Sequence, residues 1–489
     1  MRVLVAWSRT IAPGVTEKPI AVDQALGIER PAMSARRLIL PLALAQFICS
    51  FAGSNMNVMI NDISNDLDTT VKGVQTAITL FLLIMAILMI PCSKLTDRWG
   101  RKRCFNGGLA LYGIGAILSA VAPGLGVLIL GNSVFEGVGT ALLIPPVYIL
   151  ATLWFTDLTR RAWAFGAISG LGGIGAAAGP LIGGIITTAI SWRAAFVFQA
   201  AVIVIIILLG RKITDPLPPD PTRPFDAVGA VLSGAGMFCL VFGILQAGTD
   251  NVLLTVFLVI GVVLLAGFYV YIRALERAGK EPLLSTGLFK NRISNLALVT
   301  QNVQWLILMG TSFVVSVYLQ TVREYSAIKT GVIFTAATLG LLISSLGAER
   351  FAKRRAQKTL IVWGFLIALV GIALLIGLVV AWSSIVAFVP GLFLVGFGLG
   401  GMLTPSVNVV QSSFPEEQQG EISGLSRSVS NLGSSFGTAI AGTILVAAVS
   451  RGNGAYAWAM TAVAVAGVIG LFAALRLPSR LRPQAGLQE

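Results

Sequence analysis

The stretch Leu80–Arg103, LFLLIMAILMIPCSKLTDRWGRKR, decides how the chain is read. Its first half is an uncharged apolar run, part of a segment near 74–95 that is long enough to cross a hydrocarbon core as a helix of about 20 residues. Its second half gathers Lys94, Arg98, Arg101, Lys102 and Arg103 around a single acid, Asp97. An apolar span running into a basic loop marks a membrane helix that ends on the cytoplasmic side.

The same alternation continues in both directions. Apolar spans lie near 38–60, 74–95, 104–124, 127–150, 162–187, 194–210, 227–247, 252–272, 293–320, 331–348, 358–380, 384–410, 422–449 and 454–475, fourteen in all. Composition agrees, with 56% hydrophobic and only 11% charged residues. A soluble chain carries about 25% charged residues, so most of this surface must face lipid. The expectation is an all-α polytopic membrane protein.

An even number of spans puts both termini on one side. If that side is cytoplasmic, the outer loops hold only Lys72, Arg193, Arg323, Lys329 and Arg451 of the 35 Lys and Arg. That asymmetry predicts cytoplasmic termini in a plasma or inner cell membrane. Residues 1–37 read as a cytoplasmic tail, because the apolar stretch Val3–Trp7 is too short for a secretory signal. Met33 stands as an alternative start.

Several function classes fall away. The net charge of +14 sits in short clusters between apolar runs, including Lys353-Arg354-Arg355, which is the pattern of loop anchors and not of a nucleic-acid face. Cys49, Cys92, Cys104 and Cys239 are scattered with no CxxC pair, and histidine is absent. No metal site, cofactor or enzymatic chemistry is therefore expected. The connectors around Asp215–Asp226 and Arg273–Arg292 are too short to form a soluble domain. The expected partners are a small-molecule substrate, protons and the lipid bilayer, with no nucleic acid, and a monomer is expected.

The chain also resembles itself. Gly137-Val138-Gly139 through Pro146 in span four matches Gly396-Phe397-Gly398 through Pro405 in span twelve. Ile168-Ser169-Gly170-Leu171 in span five recurs as Ile422-Ser423-Gly424-Leu425 in span thirteen. A weaker echo links the basic loop after span two with Arg350–Lys358. All three share an offset of eight spans. The expected organisation is a tail (1–37), a six-helix bundle (38–210), two inserted helices with flanking loops (211–292), a second six-helix bundle (293–475) and a C-terminal tail (476–489). Related halves of this kind place a transport site between bundles that rock.

Ser93-Lys94-Leu95-Thr96-Asp97-Arg98-Trp99-Gly100-Arg101-Lys102 resembles the G-x-L-a-D-R-x-G-R-K loop of the major facilitator superfamily, with Ser93 at the first glycine. Gly175-Ala-Ala-Ala-Gly179-Pro180-Leu181-Ile182-Gly183-Gly184 resembles the glycine motif of its antiporters. With fourteen spans, the chain is similar to the drug:proton antiporter branch, which implies the major facilitator fold. The resemblance implies a conformational latch made by Asp97, Arg98 and Arg101, with Ser93, Gly100 and Lys102 in the same loop. Independently, four-residue spacing of Gly175, Gly179 and Gly183 suits close helix packing, and Pro180 suits a bend.

Glu136 is the one acid in the middle of a span. It lies about nine residues into span four, roughly 14 Å deep at 1.5 Å per residue. An ionised acid there costs about 3 kcal/mol, so it is expected to face a watery cavity or to carry a proton. Asn132, Ser133, Glu136 and Thr140 share one helical stripe. Span one adds Gln46, Ser50, Ser54 and Asn57, and span nine adds Gln301, Gln304 and Trp305. These residues are the candidate cavity lining, with Glu136 as candidate proton carrier. Being uncharged apart from Glu136, the stripes favour neutral or cationic substrates over anions.

Two positions depart from the branch. In R-x-x-Q-G-x-G of span four, Ser133 replaces the arginine and Glu136 the glutamine. In the span-one signature, Ala52 replaces the aspartate. The reading is a secondary transporter, exporting an amphipathic drug-like molecule in exchange for protons. The alternatives are a proton-independent facilitator or lipid-like transporter of the same fold and, more remotely, a receptor or scaffold that does not transport.

Overall fold

The computed structural model describes residues 35–478, apart from 156–157, 353–355, 383, 415–417 and 449–451. Most of the N-terminal tail, the far C-terminal tail, Arg451 and the Lys353–Arg355 cluster therefore lie outside the described residues.

Among the described residues fourteen helical rods run through the molecule and no strand occurs. The first, α1, is Ala35–Asn55, continued by a 3-10 turn at Met56–Met59 and a short helix Ile60–Asp66. Then come α2 (Val71–Trp99), α3 (Arg101–Ala120) and α4, which is Leu125–Leu128 followed by a π turn Ile129–Glu136 and Gly137–Trp154. The next four are α5 (Leu158–Ala189), α6 (Trp192–Gly210), α7 (Ala227–Leu245) and α8 (Asn251–Arg277). A second set follows: α9 (Arg292–Val317, ending in a π turn Tyr318–Val322), α10 (Ala327–Ala352), α11 (Gln357–Ala381), α12 (Phe388–Gln411), α13 (Gln419–Ala447) and α14 (Asn453–Leu475).

Thirteen of these rods are long and apolar enough to cross a membrane. The fourteenth, α3, opens on Arg101, Lys102 and Arg103 and carries four glycines, yet it packs among the others as an equal member. Several helices outrun their apolar stretches. For example, α2 continues to Trp99 and α8 to Arg277, because backbone hydrogen bonding does not stop at the edge of the lipid.

The packing is duplicated. In the first bundle α1 lies on α5, α3 on α4, α6 on both α3 and α1, and α2 on α4. In the second, α9 lies on α13, α11 on α12, α14 on both α11 and α9, and α10 on α12. Every pair reappears eight helices later. The bundles meet along two seams, α2 on α13 and α5 on α10, which exchange places under the same offset. Helices α7 and α8 pack on each other, and α7 leans on α2 and α13. On α8 only Gly261, Phe268 and Ile272 are buried, so this helix presents an apolar face to lipid.

Glycine sets how closely the helices approach. A Cβ on Gly175 would stand 2.3 Å from the Phe47 carbonyl oxygen of α1, and one on Gly433 would stand 2.1 Å from the Asn302 carbonyl oxygen of α9. Side chains there would push the paired helices apart.

Candidate functional site

The basic loop folds as a clamp between α2, α3 and the connector that leads to α7. Asp97 accepts a hydrogen bond from Arg101 Nη2 at 2.7 Å and also pairs with Arg223 at 3.0 Å. A further acid, Asp215, takes the N-terminus of α3. Its Oδ2 accepts from the Arg101 amide at 2.7 Å, and the Arg101 guanidinium lies 3.9 Å from Oδ1. An acceptor at a helix start satisfies free amides and opposes the positive end of the helix dipole. Gly100 makes the tight corner with φ 95°, a left-handed conformation that suits glycine. Lys102 donates to the Arg211 carbonyl. Arg98 instead lines a groove of about 490 Å³ with Trp99, Arg103, Pro219 and Pro221. The clamp therefore joins the first bundle to the connector. The link to the second bundle is made by Lys94, paired with Glu421 of α13, and by Ser93, against which Gly424 packs.

The glycine motif on α5 has two faces. Gly175, Gly179 and Gly183 press on α1 at Phe47, Ser54 and Asn55, while Gly184 presses on Ala327 of α10 across the seam. The Pro180 carbonyl oxygen lies against Gly331 of α10, and α5 runs unbroken through the proline. The sequence reading missed the counterpart of this motif. On α13, Gly433 and Gly437 press on α9 and Gly442 on Gln75 of α2, with the same spacing as Gly175, Gly179 and Gly184. That spacing was visible in the sequence.

The polar stripes divide. Gln46 and Ser50 meet the seam: Gln46 Nε2 donates to Ser50 Oγ at 3.1 Å, and its oxygen accepts from the Tyr148 hydroxyl at 3.3 Å. Ser54 bonds back to its own helix beside Gly179. The Asn57 carbonyl accepts from Gln320 Nε2 at 2.8 Å, while Asn61 exchanges hydrogen bonds with Gln320 at 3.2 and 2.6 Å. This cluster clasps α1 to α9 at the end of the molecule opposite the basic loops. Gln301 and Gln304 turn into the second bundle, where they accept from Ser426 and Ser406. Trp305 is half-buried beside them.

The α4 stripe requires a correction. Asn132, Ser133, Glu136 and Thr140 are all buried at 1% exposure or less, inside the first bundle and away from the seam. Ser133 donates to the Ala77 carbonyl of α2 at 2.8 Å. Glu136 lies against Gly115 of α3 and accepts from Ser119 at 3.4 Å through Oε1, while Oε2 has no protein partner. Two features turn this face inward. Gly131 and Gly139 border the stripe and pack on the α3 backbone, and the π turn Ile129–Glu136 shifts the register that a regular 3.6-residue helix would give. Asn132 and Thr140 keep buried polar atoms without protein partners, a pattern that calls for ordered water.

The residue that the sequence reading passed over is Arg427. It sits on α13 at the seam, half-buried. Its Nη2 donates to the Tyr148 hydroxyl at 2.5 Å, and its Cζ lies 4.6 Å over the Tyr148 ring. Ser169 Oγ is 3.4 Å from the same hydroxyl. A basic residue near the start of a span reads in sequence as one more loop anchor, and only the fold brings it to α4.

Two six-helix bundles with matched seams define the class: a polytopic membrane transporter. Sequence and structure comparisons take the assignment further. The Major Facilitator Superfamily profile matches residues 42–438 and 303–488, and the chain belongs to that family. It is 28% identical over 405 residues to a puromycin resistance protein of Streptomyces alboniger, covering 82% of this chain and 80% of that one. It is 29% identical over 371 residues to the multidrug efflux pump LfrA of Mycolicibacterium smegmatis, with 76% and 73% covered. A riboflavin transporter, RibZ, of Clostridioides difficile is 24% identical over 406 residues, with 82% and 86% covered. Among solved structures, a peptide transporter, POT, in complex with sulfate superposes with a TM-score of 0.69 at 16% identity, covering 94% of this chain and 99% of that one. That likeness bears on the fold alone.

Proposed function

We propose that this chain exports a small amphipathic molecule by alternating access, in exchange for protons taken up at Glu136. The observation that carries the transport reading is the pair of seams. Because α2 on α13 and α5 on α10 are related by the repeat, tilting one bundle on the other can open each end in turn. Efflux is the activity printed in the name of one relative above, the multidrug efflux pump LfrA. The concentration of basic residues in one set of loops supports a cytoplasmic location for both termini.

Proton coupling rests on Glu136. A carboxyl buried at mid-bundle with one hydroxyl partner costs about 3 kcal/mol to hold as an ion, so its charge state is tied to how α3 and α4 pack. In this form the proton acts on helix packing, and it does not compete with substrate for one space. A second reading, a proton-independent facilitator, is favoured by Ala52 and Ser133, which stand where the branch has an acid and an arginine.

The test is flux of radiolabelled puromycin and riboflavin in proteoliposomes, with and without a pH gradient. Antiport predicts that the gradient accelerates wild-type export and that Glu136→Gln lowers gradient-driven flux by about tenfold, a factor that corresponds to 1.4 kcal/mol of coupling. Flux indifferent to the gradient in both proteins establishes the facilitator instead.

A further inference from the structure

We infer that Arg427 is an anion-recognising residue of the transport path, so that the substrate class is an amphipathic organic carboxylate. This rests on the transport reading above. The carboxylate sits on the guanidinium, flanked by Tyr148, Gln46 and Ser169. The apolar body of the substrate lies against the rings of Tyr148 and Phe165, whose centroids are 5.6 Å apart.

The first ground is an unbalanced charge. Arg427 is eight residues into α13, about 12 Å along the helix, within a stretch apolar enough to span a membrane. Ionisable residues at such depth are costly and face a partner or a watery space. Among the described residues no carboxylate lies within 4 Å of Arg427. Glu421, the acid on the same helix, is paired with Lys94. Glu136 faces Gly115 and Ser119 on α3.

The second ground is free hydrogen-bonding capacity. A guanidinium offers five N–H donors in a planar fork. Here one bond goes to the Tyr148 hydroxyl, and the Tyr148 ring holds the cation from below. The remaining donors match a two-oxygen acceptor, which Arg binds in bidentate fashion.

The third ground is position and access. The cluster joins α13 of one bundle to α4, α1 and α5 of the other. On its α5 side Ser169 and Gly170 are exposed, and a Cβ on Gly166 or Gly170 would meet nothing within 4 Å. An anion bound there bridges the two halves, so occupancy biases their tilt. The neutral or cationic preference expected from the polar stripes is thereby reversed, because the one unpaired charge of this cluster is positive.

The experiment compares 1-naphthoate, its uncharged methyl ester and 1-naphthylmethylamine on purified wild type, Arg427→Gln and Arg427→Lys. Binding is read by thermal shift and calorimetry, and flux in proteoliposomes. The wild type is expected to bind the acid about tenfold tighter than the ester, a difference of the size a charge-assisted pair supplies. In Arg427→Gln the acid falls to the level of the ester while the ester is unchanged, and Arg427→Lys recovers part of the preference. Equal binding of acid and ester by the wild type, or an equal loss of both in Arg427→Gln, overturns the inference and leaves Arg427 a structural tie to Tyr148. Acid-selective binding without flux upholds the anion site and counts against the transport reading.

Discussion

Single carboxylates do different work in this protein according to what faces them. Asp215 reaches the first amides of α3 from a connector more than a hundred residues along the chain, and its side chain is mostly shielded. Asp215→Ala should lower the stability of the detergent-solubilised protein by about 1 kcal/mol, the usual cost of losing a helix cap. Asp215→Asn keeps an acceptor oxygen and should lose less, and calorimetric melting of the three proteins checks the order. The Asp97–Arg101 pair was legible in the sequence because both residues lie in one motif, four positions apart. Asp215 was not, since nothing local couples a connector aspartate to a distant helix start. Arg427 shows the same limit from the other side. Its residue type was plain, but its meaning depends on Tyr148, which lies in the other bundle.

Helices in this molecule are organised by where a side chain can be dispensed with. The fourteen spans and the eight-span repeat could be read directly, because lipid imposes length and hydropathy on every crossing helix. Which face of a helix meets which neighbour was harder to read. On α4 the polar stripe was assigned to a central cavity, yet Gly131 and Gly139 beside it had already marked that side as a packing face, and the π turn moved the register further. Glycine position therefore predicts orientation better than polarity does here. A matched pair of substitutions tests this. A Cβ at Gly437 would stand 2.4 Å from the Leu306 carbonyl oxygen, whereas Gly170 has open space around it. Gly437→Ala should destabilise the protein by about 1–3 kcal/mol, as overpacking does, and Gly170→Ala should be neutral or mildly stabilising. Equal melting temperatures for the two variants would remove the packing argument for α13.

At the scale of the whole molecule, the two ends are held differently. Opposite the basic loops, Asn57 and Asn61 clasp Gln320 through three hydrogen bonds that join α1 to α9, and Gly184 and Gly331 lock α5 to α10 nearby. Toward the basic loops, α5 becomes exposed at Ser169 and Gly170. This arrangement is closed at one end. For the bundles to exchange facing, the clasp must break. With buried hydrogen bonds contributing about 1 kcal/mol each, losing the Gln320 side chain forfeits two of the three. Gln320→Ala should therefore raise the population open at that end by about tenfold or more, since 1.4 kcal/mol is a factor of ten. The complementary constraint is a covalent clasp. Cys49, Cys92, Cys104 and Cys239 are all buried, whereas Asn61 and Thr321 are partly exposed with side-chain oxygens 3.5 Å apart, so a cysteine pair at positions 61 and 321 is the preferred target of a water-soluble bifunctional thiol reagent. Cross-linking that pair should abolish flux while leaving 1-naphthoate binding intact, because Arg427 and Tyr148 meet away from the clasp, in a cluster that shares no residue with it. Unchanged flux through the cross-linked protein would mean that the halves do not part at α1 and α9, and that the seam is a fixed interface.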